Sequence, residues 1–432
     1  MRFLLAFNGT RGDIQPAVVV ASELQRRGHD VVFGAPPNLC AFVAAAGVSA
    51  RPFGADSQAQ MNSELVRTGL RSGGPRRRMK ALAEIRDLGW SQAVSDMAAM
   101  YEGADAIVTG FITEQIAQPY AESLGVPCLS LHHAPIRPTR HIGPVPGAPA
   151  LPPLLNSAMW TVAQYTMWLL TRNRQNELRR RLGVSGAAGV NYRGALEIQA
   201  YDPLLCQELV REWAGQRRPF VGFLNLSREQ RVRIGLDSTD DPGLAAWFEA
   251  GDAPVYFGFG SMPVPDVAAT AAAIVDAAQR VGVRALISSG WGALAAAVAE
   301  DDRVRVVGAV DHDRIFPRCR AVVHHGGAGT TAAALRAGVP SLVCWVGSDQ
   351  PYWGARCVRY GVGETTRLPG IDADILTEKL ATILSSEYTR RARALAEGLI
   401  SPEQAVRRCA DLIERSVHDR ATHADDSESE RT

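Results

Sequence analysis

"AVVHHGGAGTTAAAL", residues 321–335, decides how the rest of the chain is read. An apolar run delivers two histidines, a glycine turn and two hydroxyls, and then an alanine-rich stretch begins. β-Branched residues before the turn and good helix formers after it describe a strand feeding a helix. Gly326, Gly327 and Gly329 let backbone N–H groups come close to an anion. The helix N-terminus adds unsatisfied donors and the positive end of its dipole. Thr330 and Thr331 supply hydroxyls, and a histidine ring supplies one more donor. The loop therefore suits a diphosphate held without lysine. The bland reading of the same residues is a tight strand–helix turn with both histidines satisfied in the core.

The pattern extends outward on both sides. "APVYFGFGS", "VRALISSG", "VRVVGAV" and "PSLVCWV" read as strands, with the helix-like "DVAATAAAIVDAAQRVG" among them. The first half repeats the design: "RFLLAF", "HDVVFGAP", "GADAIVTG" and "VPCLSLHH" alternate with amphipathic stretches, two of which end in glycine. Such alternation implies parallel sheets covered by helices. The fold expected is α/β, with two Rossmann-like domains facing one another. Ligands of such sheets bind beyond the carboxyl ends of the strands, where both "NGTRGDIQP" (8–16) and "HHGGAGTT" lie. The expected domains are 1–225, a linker 226–243, a second domain 244–400, a last helix 401–416 packing back on the first domain, and a disordered tail 417–432. Residues 75–100, with a basic run from Arg76 to Lys80, read as a helical insertion.

The composition narrows the function classes. The chain has 432 residues, 46% of them hydrophobic and 21% charged, an ordinary balance for a globular protein. Its net charge of +1 gives no electrostatic reason to expect a nucleic-acid partner. The seven cysteines are scattered, with no CxxC, which fits reduced thiols. "RFLLAF" is too short for a signal-peptide core, so the expected location is cytoplasmic. Residues 142–171 carry no charge, but five prolines break the first half and polar residues the second. That is a poor membrane span. Trp160, Tyr165 and Trp168 in this segment either line a greasy cleft, rest on a membrane, or close the core of the first domain.

Other loops are open to two readings each. Asp349 and Gln350 form a fork for sugar hydroxyls, or Asp349 caps the next helix. Ser261 ends a strand and adds to the anion site, or belongs to an ordinary turn. Trp291 flanks a base or sugar, or packs. Asp13 sits where a helix begins, as a cap or as a functional carboxylate. Thr10 and Arg11 share its turn. The Asp372–Asp374 pair resembles a metal-binding DxD but stands at a helix start and reads as capping.

"FGFGSM", "SSGWG", "HHGGAGTTAAALRAGVP" and "DQPYWGARCVRYGVG" occur in the order and spacing of the family 1 glycosyltransferases with the GT-B fold. With "GTRGDIQP" and the "APP" at 35–37, the chain resembles the bacterial branch that glycosylates glycopeptides, sterols, mycobacterial glycolipids and other natural products. The resemblance covers residues 1 to about 415 and is weakest over 50–100 and 136–235. It implies donor-diphosphate contacts from Ser261, His325, Gly327, Gly329 and Thr330, joined by Thr10 and Arg11. It implies donor-sugar contacts from Asp349 and Gln350. The tryptophan that plant members stack on uracil is replaced by Val307, leaving the Val310 backbone and Trp291 to meet the base.

Many relatives place a histidine in a G-H-x-x-P turn, and here that turn reads Gly12-Asp13-Ile14-Gln15-Pro16. A carboxylate of pKa ~4 is ionised at neutral pH and needs no partner to set its tautomer. Asp13 is thus read as the catalytic base, and His133 as a second base, an acceptor-orienting group or a structural histidine. The expected activity is inverting, metal-independent transfer of a hexose or deoxyhexose from a UDP or dTDP sugar. The expected acceptor is a hydroxyl of a glycolipid, lipopeptide, sterol or natural-product aglycone. The nucleotide sugar is a co-substrate, and no cofactor is expected. The alternatives are a nucleotide-sugar epimerase on the same fold and a non-catalytic glycolipid or nucleotide-sugar binding protein.

Overall fold

A computed structural model describes residues 1–62, 89–148, 151–190, 195–236, 241–260, 262, 264, 266–289 and 294–429. The basic run Arg76–Lys80, Ser261, Trp291 and four residues of the expected linker lie outside the described residues. Two compact units divide the chain. Met1–Pro144, Pro152–Gln230 and Ile400–Thr432 make the first, and Val145–Leu151 with Arg231–Leu399 the second.

Each unit is built on six parallel strands. The first sheet holds β1 (Arg2–Ala6), β2 (Asp30–Ala35), β3 (Ala50–Pro52), β4 (Ala106–Thr109), β5 (Cys128–His132) and β6 (Leu196–Gln199) in the order 3-2-1-4-5-6. The second holds β7 (Val255–Gly258), β8 (Ala285–Ser288), β9 (Val304–Val307), β10 (Ala321–His324), β11 (Ser341–Trp345) and β12 (Gly363–Arg367) in the order 12-11-10-7-8-9. Counted from the first strand of each unit the two orders are the same. The central strands are sealed on both faces: Leu4 pairs in register with Val32 and Ile107, and Val323 with Phe257 and Leu342. Burying each such side chain is worth about 1.5–3 kcal/mol before chain entropy is charged against it.

The chain order reverses direction between β1 and β4, and again between β7 and β10. Loops at the carboxyl ends of strands flanking such a switch are splayed apart and leave a crevice. One switch loop runs from β1 to Asp13, and the other from β10 to His325.

The polar stretch 226–243, expected as a connection, contains the helix Arg228–Arg233 and the start of the helix Pro242–Glu249. The last helix, Pro402–Ser429, packs along the first, Arg11–Arg26. Its Ala405, Cys409, Ala410 and Ile413 are fully buried at helical spacing. Arg27 closes the contact on Asp411 (2.7 Å) and Glu414 (2.6 Å), and His29 Nε2 lies 2.7 Å from Glu414. The backbone stays helical to Ser429, where a disordered tail was expected from 417 onward. The tail contains no glycine or proline, and elongating a helix is far easier than starting one.

Ile413→Ala should cost about 2–5 kcal/mol, because the fully buried site cannot refill. Urea unfolding followed by circular dichroism measures it, and an unchanged midpoint would mean that the last helix is not part of the cooperative unit.

Candidate functional site

The first switch loop is organised by its own carboxylate. Thr10, not Asp13, is the N-cap of the helix Arg11–Arg26, and its hydroxyl accepts from Gly12 N at 3.3 Å. Asp13 stands three positions in and completes a capping box. Its Oδ2 accepts from Thr10 N (2.8 Å) and Thr10 Oγ1 (3.1 Å). Gly9, at φ 132°, is obligatory here, since a Cβ on it would stand 2.4 Å from Asp13 Oδ2. The Thr10 hydroxyl is thus engaged within the turn. Arg11 lies over the Phe42 ring at 4.7 Å, its Nε donates to Gln15 at 3.2 Å, and burial lowers its pKa.

The second oxygen of Asp13 is oriented differently. Oδ1 lies 3.7 Å from His133 Nε2, and both side chains are partly exposed, 25% and 34%. His133 follows β5, and the chain after it is pinned from below. His132 Nε2 meets Glu114 Oε1 at 2.7 Å, Arg137 donates to Glu114 (2.6 Å) and Glu197 (2.5 Å), and Arg218 donates to Glu197 (2.5 Å). Burial would raise the Glu114 pKa, but Arg137 and then His132 outweigh it and hold the carboxyl well below its usual range. Burial, and then Arg137, push His132 down. Trp213 Nε1 donates to Pro138 O at 3.1 Å and fixes the end of the loop.

The second switch loop is the electrostatic opposite. Gly327 is the N-cap of the helix Ala328–Arg336 and offers no side-chain cap, so the first N–H groups are left for solvent or a ligand. Thr331 spends its hydroxyl on Gly327 O at 3.0 Å, whereas Thr330 stays half-exposed. The His325 ring lies against two glycines. A Cβ on Gly260 would come within 3.1 Å of its Cε1, and one on Gly327 within 2.6 Å of its Nε2. Its Nδ1 is buried without a hydrogen-bond partner among the described residues. Burial pulls its pKa down to about 4 against the opposing pull of Asp349, so the ring is neutral at pH 7. His324 is wholly core, its Nδ1 accepting from Gly326 N at 3.1 Å.

Asp349 and Gln350 differ from the expected fork. Asp349 holds the N-cap position of the helix Gln350–Arg359 without capping it, and its Oδ2 accepts from Trp353 Nε1 at 2.8 Å. Gln350 is buried. Its Oε1 accepts from Val346 N (2.8 Å) and Gly347 N (3.3 Å), and its Nε2 faces Met262 Sδ at 3.1 Å. It satisfies the loop N–H groups that have no ladder partner, in a loop where Ser348 stands at φ 58°. The Val310 side chain sits in the core with Phe316 and Leu244. Asp372 caps the helix Ala373–Ile383 by accepting from Ile375 N, and Asp374 pairs with Arg280. Among the described residues no group of three or more His, Cys, Asp or Glu is placed to hold a metal ion.

The aromatic residues lie on one long helix, Pro153–Arg181. Trp160 Nε1 donates to Ile142 O (2.7 Å) and Trp168 Nε1 to Ala188 O (2.8 Å), so both indoles pin flanking loops to the helix. Tyr165 is half exposed, with its ring 5.2 Å from that of Trp168.

Comparison with known proteins assigns this geometry. Residues 3–124 match the glycosyltransferase family 28 N-terminal domain, and residues 272–412 match the erythromycin biosynthesis protein CIII-like C-terminal domain. The uncharacterized glycosyltransferase Rv1524 of Mycobacterium tuberculosis is 41% identical over 421 residues, 96% of this chain and 98% of that protein. The chain belongs to the GT-B glycosyltransferases. A sterol 3-beta-glucosyltransferase of Arabidopsis thaliana is 33% identical to it over 384 residues, 84% of this chain and 57% of that protein. The fold is shared with the calicheamicin glycosyltransferase CalG4 (TM-score 0.70, 16% identity, 96% of this chain and 98% of that one). It is shared too with the glycosyltransferase VinC, solved in complex with dTDP (TM-score 0.66, 18% identity, 97% and 100%).

Sequence reasoning passed over two features of this glycosyltransferase. Phe111 and Ile112 stand more than half exposed where β4 ends, beside the first switch. An apolar pair directly after a strand-ending glycine was the available signal. The Glu114–Arg137–Glu197 network had no local signal, since its members are 23 and 60 residues apart.

Two outcomes are expected. A Cβ on Gly329 meets nothing within 4 Å, so Gly329→Val should fold normally yet crowd the bare helix end. Its melting temperature should stay near wild type while stabilisation by nucleoside diphosphates is lost; retained stabilisation would move the anion elsewhere. The Glu114 pKa is lowered on folding, so its network stabilises the chain fully above about pH 4.5 and loses that contribution as pH falls toward 2. Glu114→Gln should cost about 3 kcal/mol at pH 7 and progressively less in acid, measured by denaturant melts across pH.

Proposed function

We propose that this glycosyltransferase moves a hexose or deoxyhexose, with inversion and without a metal ion, from a UDP or dTDP sugar to a hydroxyl of a hydrophobic acceptor. The observation that carries the proposal is the uncapped N-terminus of Ala328–Arg336 with neutral, half-buried His325 beside it. The leaving diphosphate is the group that needs stabilisation in the transition state. Preorganised N–H donors and a helix dipole supply it in a site partly shielded from water. Thr330, Gly327 and Gly329 complete the diphosphate contacts. His325, being neutral, acts as a hydrogen-bond donor rather than as a charge. Asp349 takes a sugar hydroxyl on its second oxygen, while Gln350 keeps the loop closed behind it. The base lies by the Val310 backbone.

Asp13 serves twice. Oδ2 holds the capping box, which fixes the carboxylate, and Oδ1 takes the acceptor proton as the acceptor oxygen bonds to the anomeric carbon. The bond from that carbon to the diphosphate oxygen breaks on the opposite face, which inverts the centre. His133, 3.7 Å from Oδ1, orients the hydroxyl. The dTDP bound to VinC supports a nucleoside-diphosphate ligand, and the sterol glucosyltransferase relative supports a greasy, hydroxylated acceptor. Exposed Phe111, Ile112 and Tyr165 offer apolar surface on the acceptor-side unit.

The test pairs a thermal-shift panel of UDP, dTDP and GDP with transfer assays on sterol and glycolipid acceptors, the product anomer being read by NMR. Asp13→Asn keeps an acceptor for Thr10 and should preserve nucleotide binding while lowering turnover about 10²–10⁴-fold. Wild-type turnover in that variant would remove Asp13 from the chemistry, and a retained anomeric configuration would overturn the single displacement.

A further inference from the structure

The helix Pro153–Arg181 turns a row of apolar side chains to solvent. Three of its four buried side chains are polar: Asn156, Thr171 and Gln175, with Leu178 the apolar one. Those polar groups are satisfied locally, Asn156 Nδ2 by Arg140 O at 3.0 Å and Gln175 Nε2 by Thr171 Oγ1 at 2.9 Å. The outward face carries Leu154 (77% exposed), Leu155, Val162 (65%), Tyr165 and Leu169. At 100° per residue these five fall within about one third of the helix circumference. The exposure is that of the whole chain, so nothing among the described residues covers the face. From Pro153 to Thr171 there is no charge, a strip about 28 Å long.

Charge marks the two ends of the strip. Exposed Arg140 lies at the end where its carbonyl receives Asn156, and exposed Arg172 follows the strip, its guanidinium 5.1 Å from the Trp168 ring centroid. Neither guanidinium has a hydrogen-bond or ion-pair partner among the described residues. From 153 to 181 the helix carries five arginines against one acid, Glu177. Among the described residues no helix is long and apolar enough to cross a membrane. An apolar strip with aromatics at its margin and unpaired cations at its ends fits the interface of an anionic bilayer, the apolar side chains in the acyl boundary and the arginines on lipid phosphates.

We propose that the outward face of Pro153–Arg181 docks this enzyme on an anionic lipid surface. The docking is independent of the donor site: it can fail with transfer intact, and it is measured without donor or acceptor. The experiment is co-sedimentation of the full chain with vesicles of phosphatidylcholine alone and with 30% phosphatidylglycerol, a composition chosen at roughly the anionic content that polybasic segments detect. Binding is expected on the mixed vesicles and weakly or not at all on the neutral ones. Val162→Gln with Leu169→Gln should weaken binding at least about tenfold. Arg140→Gln and Arg172→Gln should each weaken it about fivefold on the anionic vesicles alone. Thermal melts matching wild type confirm that the variants fold. Wild-type chain left in the supernatant would overturn the proposal, as would binding indifferent to the Val162/Leu169 change. A dimer in sedimentation velocity that the same change dissociates would assign the face to a second copy instead.

Discussion

Every α-helix begins with N–H groups that its own backbone cannot satisfy, and how two such ends are treated divides this molecule. The two units share one strand order, so each places a helix N-terminus at its switch point. In the first, Thr10 and Asp13 form a capping box and put a fixed carboxylate at the end. In the second, Gly327 leaves the end bare and glycines clear the approach. Two copies of one architecture thereby acquire opposite local potentials. An anion is welcome at one and repelled at the other.

The carboxylate is useful only if what stands beside it holds still. The buried row from His132 through Glu114, Arg137 and Glu197 to Arg218 links β5, β6 and the loop carrying His133. Buried ion pairs of this kind contribute little net stability, because desolvation consumes much of the attraction. What they contribute is geometry: removing one partner strands another charge, so alternative loop conformations are strongly disfavoured.

Much of this was legible from residues alone, for local reasons. Strands sealed on both faces announce themselves as runs such as "AVVH" and "VYFG", and the bare helix end announces itself through its glycines. Register within a motif was harder. Thr10 and Asp13 are both competent caps, and only backbone geometry assigns the cap to threonine and the third position to aspartate. The burial of Gln350 could not be read locally. The uncharged strip from 142 to 171 was plain in the sequence. Which face of it turns outward depends on the burial of Asn156, Thr171 and Gln175, polar residues that the sequence alone does not place inside. Charged residues that pair across dozens of positions left no trace at all.

The boundaries of the two units carry one more consequence. The first unit is not contiguous: its last helix arrives only after the whole second unit, which is in effect an insertion between Gln230 and Ile400. On the ribosome, the half that is synthesised first therefore finishes last. The second unit can close its sheet as soon as β12 emerges, while Arg27 and His29 wait for Asp411 and Glu414 nearly four hundred residues later. Until then the apolar groove that will receive Ala405, Cys409 and Ile413 stands open, and the nascent chain is exposed to premature association for most of its synthesis.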